Sequence, residues 1–143
     1  MKNRILALAA LLILAIPTAY AHQTATVGEG NNQFKVIVGM VREPIFTEER
    51  NGLDLIIRRA DNDEPVENLE GSLSAEITSP DGQSTHSFTL RPQYGKPGYY
   101  TDEIMLSEPG DYSIRIFGFI GEVEFDETFE THGVRALSEL RFP

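Results

Sequence analysis

Three histidines, His22, His86 and His132, are the side chains of this 143-residue chain best suited to hold a transition metal. Imidazole nitrogen suits Cu(II). His22 follows Ala19-Tyr20-Ala21, and a cut after Ala21 would give one residue both an α-amino group and an imidazole able to chelate a single ion together. A fixed copper centre would add a second histidine, yet neither His86 nor His132 stands at a recognisable ligand spacing. Glu130 and His132 are two apart and share a face of any strand that runs so far, with Glu124 and Asp126 continuing it. That face reads either as a divalent-cation site or as a solvated acidic edge. His22, Glu130 and His132 are therefore the candidate metal residues, and copper is the cofactor they would suit.

Other groups have plainer readings. Met40 and Met105 could offer thioethers to Cu(I), but without clustered Met-x-Met spacing they read as core filling. His86 falls beside Phe88 on an apolar face and is expected partly buried and hydrogen-bonded. Asp61-Asn62-Asp63-Glu64 crowds oxygen ligands together, but the sixth position of the run is Val66, where a calcium loop needs glycine. Tyr94, Lys96 and Tyr99 could form an exposed aromatic patch for a partner or a sugar, whereas Tyr100 reads as core. The chain has no Gly-x-Ser-x-Gly, no phosphate-cradling glycine loop and no His-Glu-x-x-His, so a non-enzymatic protein is expected.

The elements that must position these residues begin with an export signal. Lys2 and Arg4 precede an unbroken apolar run, Ile5 to Ile16, which Pro17 interrupts before the small-x-small cut site. Residues 1–21 are expected to be removed, leaving 122 of the 143 residues in a periplasmic or extracellular protein with no membrane span. The signal carries two of the 12 Lys and Arg and none of the 22 Asp and Glu, so its loss takes the formal charge from −10 to −12. Such a surface disfavours nucleic acid and anionic membranes. It suits a protein partner or small ligand of the cell envelope. With no cysteine, packing alone must hold the core.

Period-two alternation marks about seven short strands. They centre on Phe34–Val38, Leu53–Ile57, Leu73–Ile77, His86–Leu90, Tyr100–Leu106, Tyr112–Ile116 and Val123–Phe129. Turn chemistry separates them: Asn51-Gly52, Ser79-Pro80-Asp81-Gly82, Arg91 to Gly98, and Ser107-Glu108-Pro109-Gly110. Gly118 or Gly121 closes the last hairpin. The first strand is apolar on both faces, which implies two sets of contacts. The acidic last strand suits a sheet edge. The pattern predicts an all-β, immunoglobulin-like antiparallel β-sandwich over residues 34–131. A flexible leader is expected over 22–33, and a C-terminal tail over 132–143 with a weak helical spacing of Val134, Leu137 and Leu140.

Three motifs occur in order: Pro65-Val66, then Tyr94-Gly95-Lys96-Pro97-Gly98-Tyr99-Tyr100, then Pro109-Gly110-Asp111-Tyr112-Ser113-Ile114. This order resembles the YtkA-like and FixH-like group of small exported immunoglobulin-like domains. The resemblance spans roughly residues 34–129. It implies the fold and brings no active site with it; some members sit near copper or oxidase-assembly proteins. The expected function is an exported, non-enzymatic binding or interaction domain. The alternative is a copper-binding accessory protein of the cell envelope that uses His22. A copper oxidative enzyme would require His22 and a second histidine on one metal.

Overall fold

The computed structural model describes residues 22–143; the expected signal peptide, residues 1–21, lies outside the described residues. Among the described residues nine strands run in order: β1 (His22–Glu29), β2 (Asn32–Met40), β3 (Arg50–Arg59), β4 (Leu73–Thr78), β5 (Thr85–Phe88), β6 (Arg91–Pro92), β7 (Tyr99–Met105), β8 (Gly110–Ile120) and β9 (Val123–Val134). They form two antiparallel sheets, β1-β2-β3-β7-β6 and β5-β4-β8-β9. The order β2-β3-β7-β6 facing β4-β8-β9 matches the two sheets of an immunoglobulin constant-type domain, with β5 and β1 added at the margins. The molecule is an all-β, immunoglobulin-like sandwich.

All seven expected strands are present, and alternation sorts their faces. Val36, Val38 and Met40 on β2, and Leu53, Leu55 and Ile57 on β3, meet Ala75, Ile77, Ile114 and Ile116 from the opposite sheet in one core. Each such Leu, Ile or Phe contributes about 1.5–3 kcal/mol by leaving water. The two strands flanking residues 60–72 do not pair with each other. That connection instead carries the chain from the first sheet to the second. Outward residues of β3 are not all polar: Ile56 is buried on the outer face, opposite Ile37 and Tyr99 in the register. This accounts for the two-faced apolar character of β2.

The motifs that carry the family resemblance are fold devices. Gly98, at φ 78°, lies against the Pro65 loop so closely that a Cβ would fall 2.8 Å from both Ile57 O and Pro65 Cβ. The first two motifs therefore touch. In the third, the Tyr112 hydroxyl donates to Glu108 O at 2.8 Å and accepts from Glu108 N at 3.2 Å. A tyrosine at the start of this strand bonded to backbone a few residues upstream is a tyrosine corner. Tyr100 does the same for residues 60–72: its hydroxyl donates to Val66 O at 2.7 Å and accepts from Leu69 N at 3.3 Å.

Two boundary expectations are corrected. Residues 22–29 are not a flexible leader; they pair with β2 along their whole length, from His22↔Gly39 to Glu29↔Asn32. The hairpin turns through Gly30 at φ 58°, and ladder hydrogen bonds supply the order that side-chain burial does not. Residues 132–143 are not a separate tail. β9 continues to Val134, which is buried. Arg135 then bridges residues 45–47: Thr47 N donates to Arg135 O at 2.9 Å and Arg135 N to Ile45 O at 3.0 Å. The helical spacing yields only a 3-10 turn, Leu137–Leu140. The last hairpin turns through Gly121, and acidic β9 is an edge strand as expected. Among the described residues no helix is long and apolar enough to cross a membrane.

Candidate functional site

The outer face of the five-stranded sheet gathers the most chemistry. Register places His22, Gly39, Asp54 and Thr101 in one cross-strand row, and Ile37, Ile56 and Tyr99 in the next. β1 alternates, so Val27 points into the core and His22 points out. His22 Nε2 lies 2.9 Å from Asp54 Oδ2. The other carboxylate oxygen, Oδ1, accepts from Gln93 Nε2 at 2.9 Å. Asp54 is thus held from both sides, by His22 of β1 and by Gln93 of the loop that follows β6, 32 and 39 positions away in the sequence. Glu43 stands near enough for the His22 charge to act on it. Its carboxyl is nevertheless raised above the ordinary range, chiefly by partial burial, against the lowering effects of a Met40 backbone hydrogen bond and of His22.

Gln93 opens the loop that bears Tyr94 and Lys96. That loop is closed on itself by Gln93 N to Tyr99 O at 2.9 Å and Tyr99 N to Lys96 O at 3.1 Å. Tyr94 is fully exposed, at 104% of its reference area. Tyr99 is half-buried, with Lys96 Nζ 5.5 Å and Arg58 Cζ 5.8 Å from its ring centre. Two cations on one ring supply cation–π attraction that fixes the ring's position. A shallow cleft of about 140 Å³, lined by Glu67, Asn68, Lys96, Pro97 and Tyr99, opens beside the loop. A larger groove of about 340 Å³ crosses the same face past Arg42, Arg50, Gly52, Gln93 and Thr101. Its inner end is set by buried Asn51, whose side chain accepts from Arg42 N and Gly52 N and donates to Arg42 O.

The proposed metal trio is not assembled. Phe129 and Thr131 of β9 are buried, so Glu130 and His132 alternate outward on the other sheet, away from the face that carries His22. The two regions meet through the neighbouring residue, whose side chain donates from Gln23 Nε2 to Glu130 O at 2.5 Å. Among the described residues no group of three His, Cys, Asp or Glu could hold a metal ion. His86 is exposed rather than partly buried, and its ring stands edge-on to Phe88 at 5.5 Å. Met40 is core, but Met105 is 62% exposed and fills nothing. Residues 61–64 are an ion-paired turn: Arg59 binds both oxygens of Asp61, holding that carboxyl below its ordinary range, and Lys35 meets Asp63. Asp54 and Gln93 were not singled out in the sequence, and Asn51-Gly52, expected to turn the chain, instead lies within β3. An acid between Leu53 and Leu55 has the outward register of any solvent-facing strand residue.

No protein-family model matches the chain, and no curated protein matches it. Among solved structures it is similar to the filamin domain of Lin-41, at 19% identity and TM-score 0.46 over 66% of this chain and 89% of that one. It is also similar to a DUF4785 family protein of Legionella pneumophila, at 12% identity and TM-score 0.48 over 72% of this chain. The match spans 29% of that protein's length. The assignment to the immunoglobulin-like sandwiches rests on the strand order and the tyrosine corner, not on these likenesses.

Proposed function

We propose that this protein is an exported, non-enzymatic binding domain of the cell envelope that engages a protein partner or small ligand. The resemblance to the YtkA-like and FixH-like group and the signal-like residues 1–21 support export. The observation that carries the binding role is Tyr94: a fully exposed aromatic ring on a short loop whose backbone is hydrogen-bonded at both ends. Exposed aromatic area on a loop fixed by a rigid scaffold is a binding device, since little entropy is lost when it is covered. Lys96 and Tyr99 complete the patch, and the acidic remainder of the surface repels polyanions. A photo-crosslinking residue in place of Tyr94 should trap one recurrent envelope species. Lys96→Glu should reduce that adduct without changing the melting temperature. A turnover that survives purification and disappears with one side-chain change would sink the non-enzymatic reading.

A second reading is a copper-binding accessory protein that uses His22 at a processed N-terminus. It is favoured because His22 lies on an ordered strand and its ring is held on the sheet by Asp54. Cu(II) titration of processed protein, against a version with one extra residue before His22, tests it; equal affinities would exclude the terminus.

A further inference from the structure

We propose that Asp54, backed by Gln93, is the positioning residue that selects the metal-competent form of His22; this rests on the copper reading above. The argument starts from the imidazole. A neutral ring carries its proton on either Nδ1 or Nε2, and only the bare nitrogen can bind a metal. The α-amino nitrogen of a first residue closes a six-membered chelate through Cα, Cβ and Cγ to Nδ1. Nε2, on the far side of the ring, cannot reach the same ion. A terminal histidine is therefore chelating only as the Nε2–H tautomer.

Asp54 enforces that tautomer. An ionised carboxylate is an acceptor only, so the 2.9 Å contact between its Oδ2 and His22 Nε2 requires the proton to sit on Nε2. Gln93 Nε2 occupies Oδ1 at 2.9 Å, which keeps the carboxylate from rotating away. Asp54 is itself on the central strand β3, between Leu53 and Leu55, both fully buried, so its backbone is fixed. Carboxylate–histidine–metal arrangements of this kind orient the ring and raise its basicity, and losing the outer partner weakens metal affinity about 10–100-fold. Register supplies the pairing: His22 opposes Gly39, which opposes Asp54, and the intervening residue is the one type with no side chain to separate the two. The remaining coordination positions on the ion are left to water or to a donor from a partner.

The test uses protein exported from the full precursor, with its first residue established by mass spectrometry. Cu(II) is titrated against a competing chelator, and the imidazole 15N shifts of the metal-free protein report the tautomer. Parent protein beginning at His22 should bind Cu(II) and show Nε2–H. Asp54→Ala should weaken binding about 10–100-fold and mix the tautomers at unchanged fold. Asp54→Asn, which keeps the shape and removes the charge, should shift both readouts in the same direction and serves if the alanine variant misfolds. Binding and tautomer unchanged in both variants would overturn the role of Asp54 while leaving the copper reading standing. No Cu(II) binding by parent protein that begins at His22, or a first residue other than His22, would overturn both.

Discussion

Tyr100→Phe removes one oxygen and no ring, so its cost comes from the backbone groups that oxygen serves. The hydroxyl donates to Val66 O and accepts from Leu69 N. Leu69 is buried, at 6% exposure, so water cannot readily replace the lost acceptor for its N–H. An orphaned buried donor costs about 1–3 kcal/mol. Tyr112→Phe makes the matching change at the tyrosine corner, but there both lost bonds go to Glu108, an exposed residue, and are only part-buried. Water takes over, and the cost falls to roughly 0.5–1.5 kcal/mol, the net worth of an ordinary hydrogen bond. For a domain of this size a kilocalorie corresponds to about 3–6 °C in melting temperature. Tyr100→Phe should therefore melt about 3–18 °C below the parent, with Tyr112→Phe between it and the parent. Urea melts should show a lower midpoint at unchanged slope, and exchange of the Leu69 N–H should quicken. Burial raises both phenols above their ordinary range. A raised folded value means a contribution complete below about pH 10 and lost as pH climbs through the folded value, so each variant should flatten part of the alkaline decline in stability. Equal melting for the two variants, or Tyr112→Phe the worse, would refute the claim that access of water to the freed backbone sets the cost.

Gly98→Ala places a Cβ 2.8 Å from Ile57 O and Pro65 Cβ at φ 78°, whereas Gly95→Ala has a similar φ and nothing within 4 Å. Thermal melts should show the first costing at least twice the roughly 1–2 kcal/mol of left-handed strain expected for the second. Asn51→Ala strips three hydrogen bonds from the start of β3 at the groove and should lower stability by roughly 2–4 kcal/mol, read as a drop in urea midpoint. Hydrogen bonds from Arg59, Ser79, Arg115 and Arg135 hold Asp61, Asp81, Asp126 and Glu139 below their ordinary ranges. Lowered folded values give stability present above about pH 4 that is lost as pH falls further, and 0.5 M salt should shrink the part due to the exposed Arg115–Asp126 pair when melting is followed from pH 6 to pH 2.5.

The sequence showed the sandwich because its inward positions alternate cleanly. Leu53, Leu55 and Ile57, or Tyr112, Ile114 and Ile116, announce a period of two, and Pro and Gly mark the turns between. It hid β1, because Val27 is the one buried residue there and backbone pairing leaves no hydrophobic trace. His86 and Met105 misled for a related reason. Both sit in strands, yet at the margin between the sheets, where alternation no longer decides burial; together they line a cleft of about 200 Å³. Of the candidate site, His22, Tyr94, Lys96 and Tyr99 were legible as residue types. Their meeting on one face depends on the β1–β2–β3–β7 register, which couples residues 32 and 39 positions apart through Asp54 and cannot be read from local pattern.

The marginal place of β1 has a consequence for how long His22 stays put. A strand laddered on one side only, with Val27 its one fully buried side chain, opens at a fraction of the free energy needed to unfold the sheet behind it. Its amides should exchange with solvent orders of magnitude faster than those of β3. The geometry at Asp54 is therefore lost whenever β1 opens locally, without the sheet behind it unfolding.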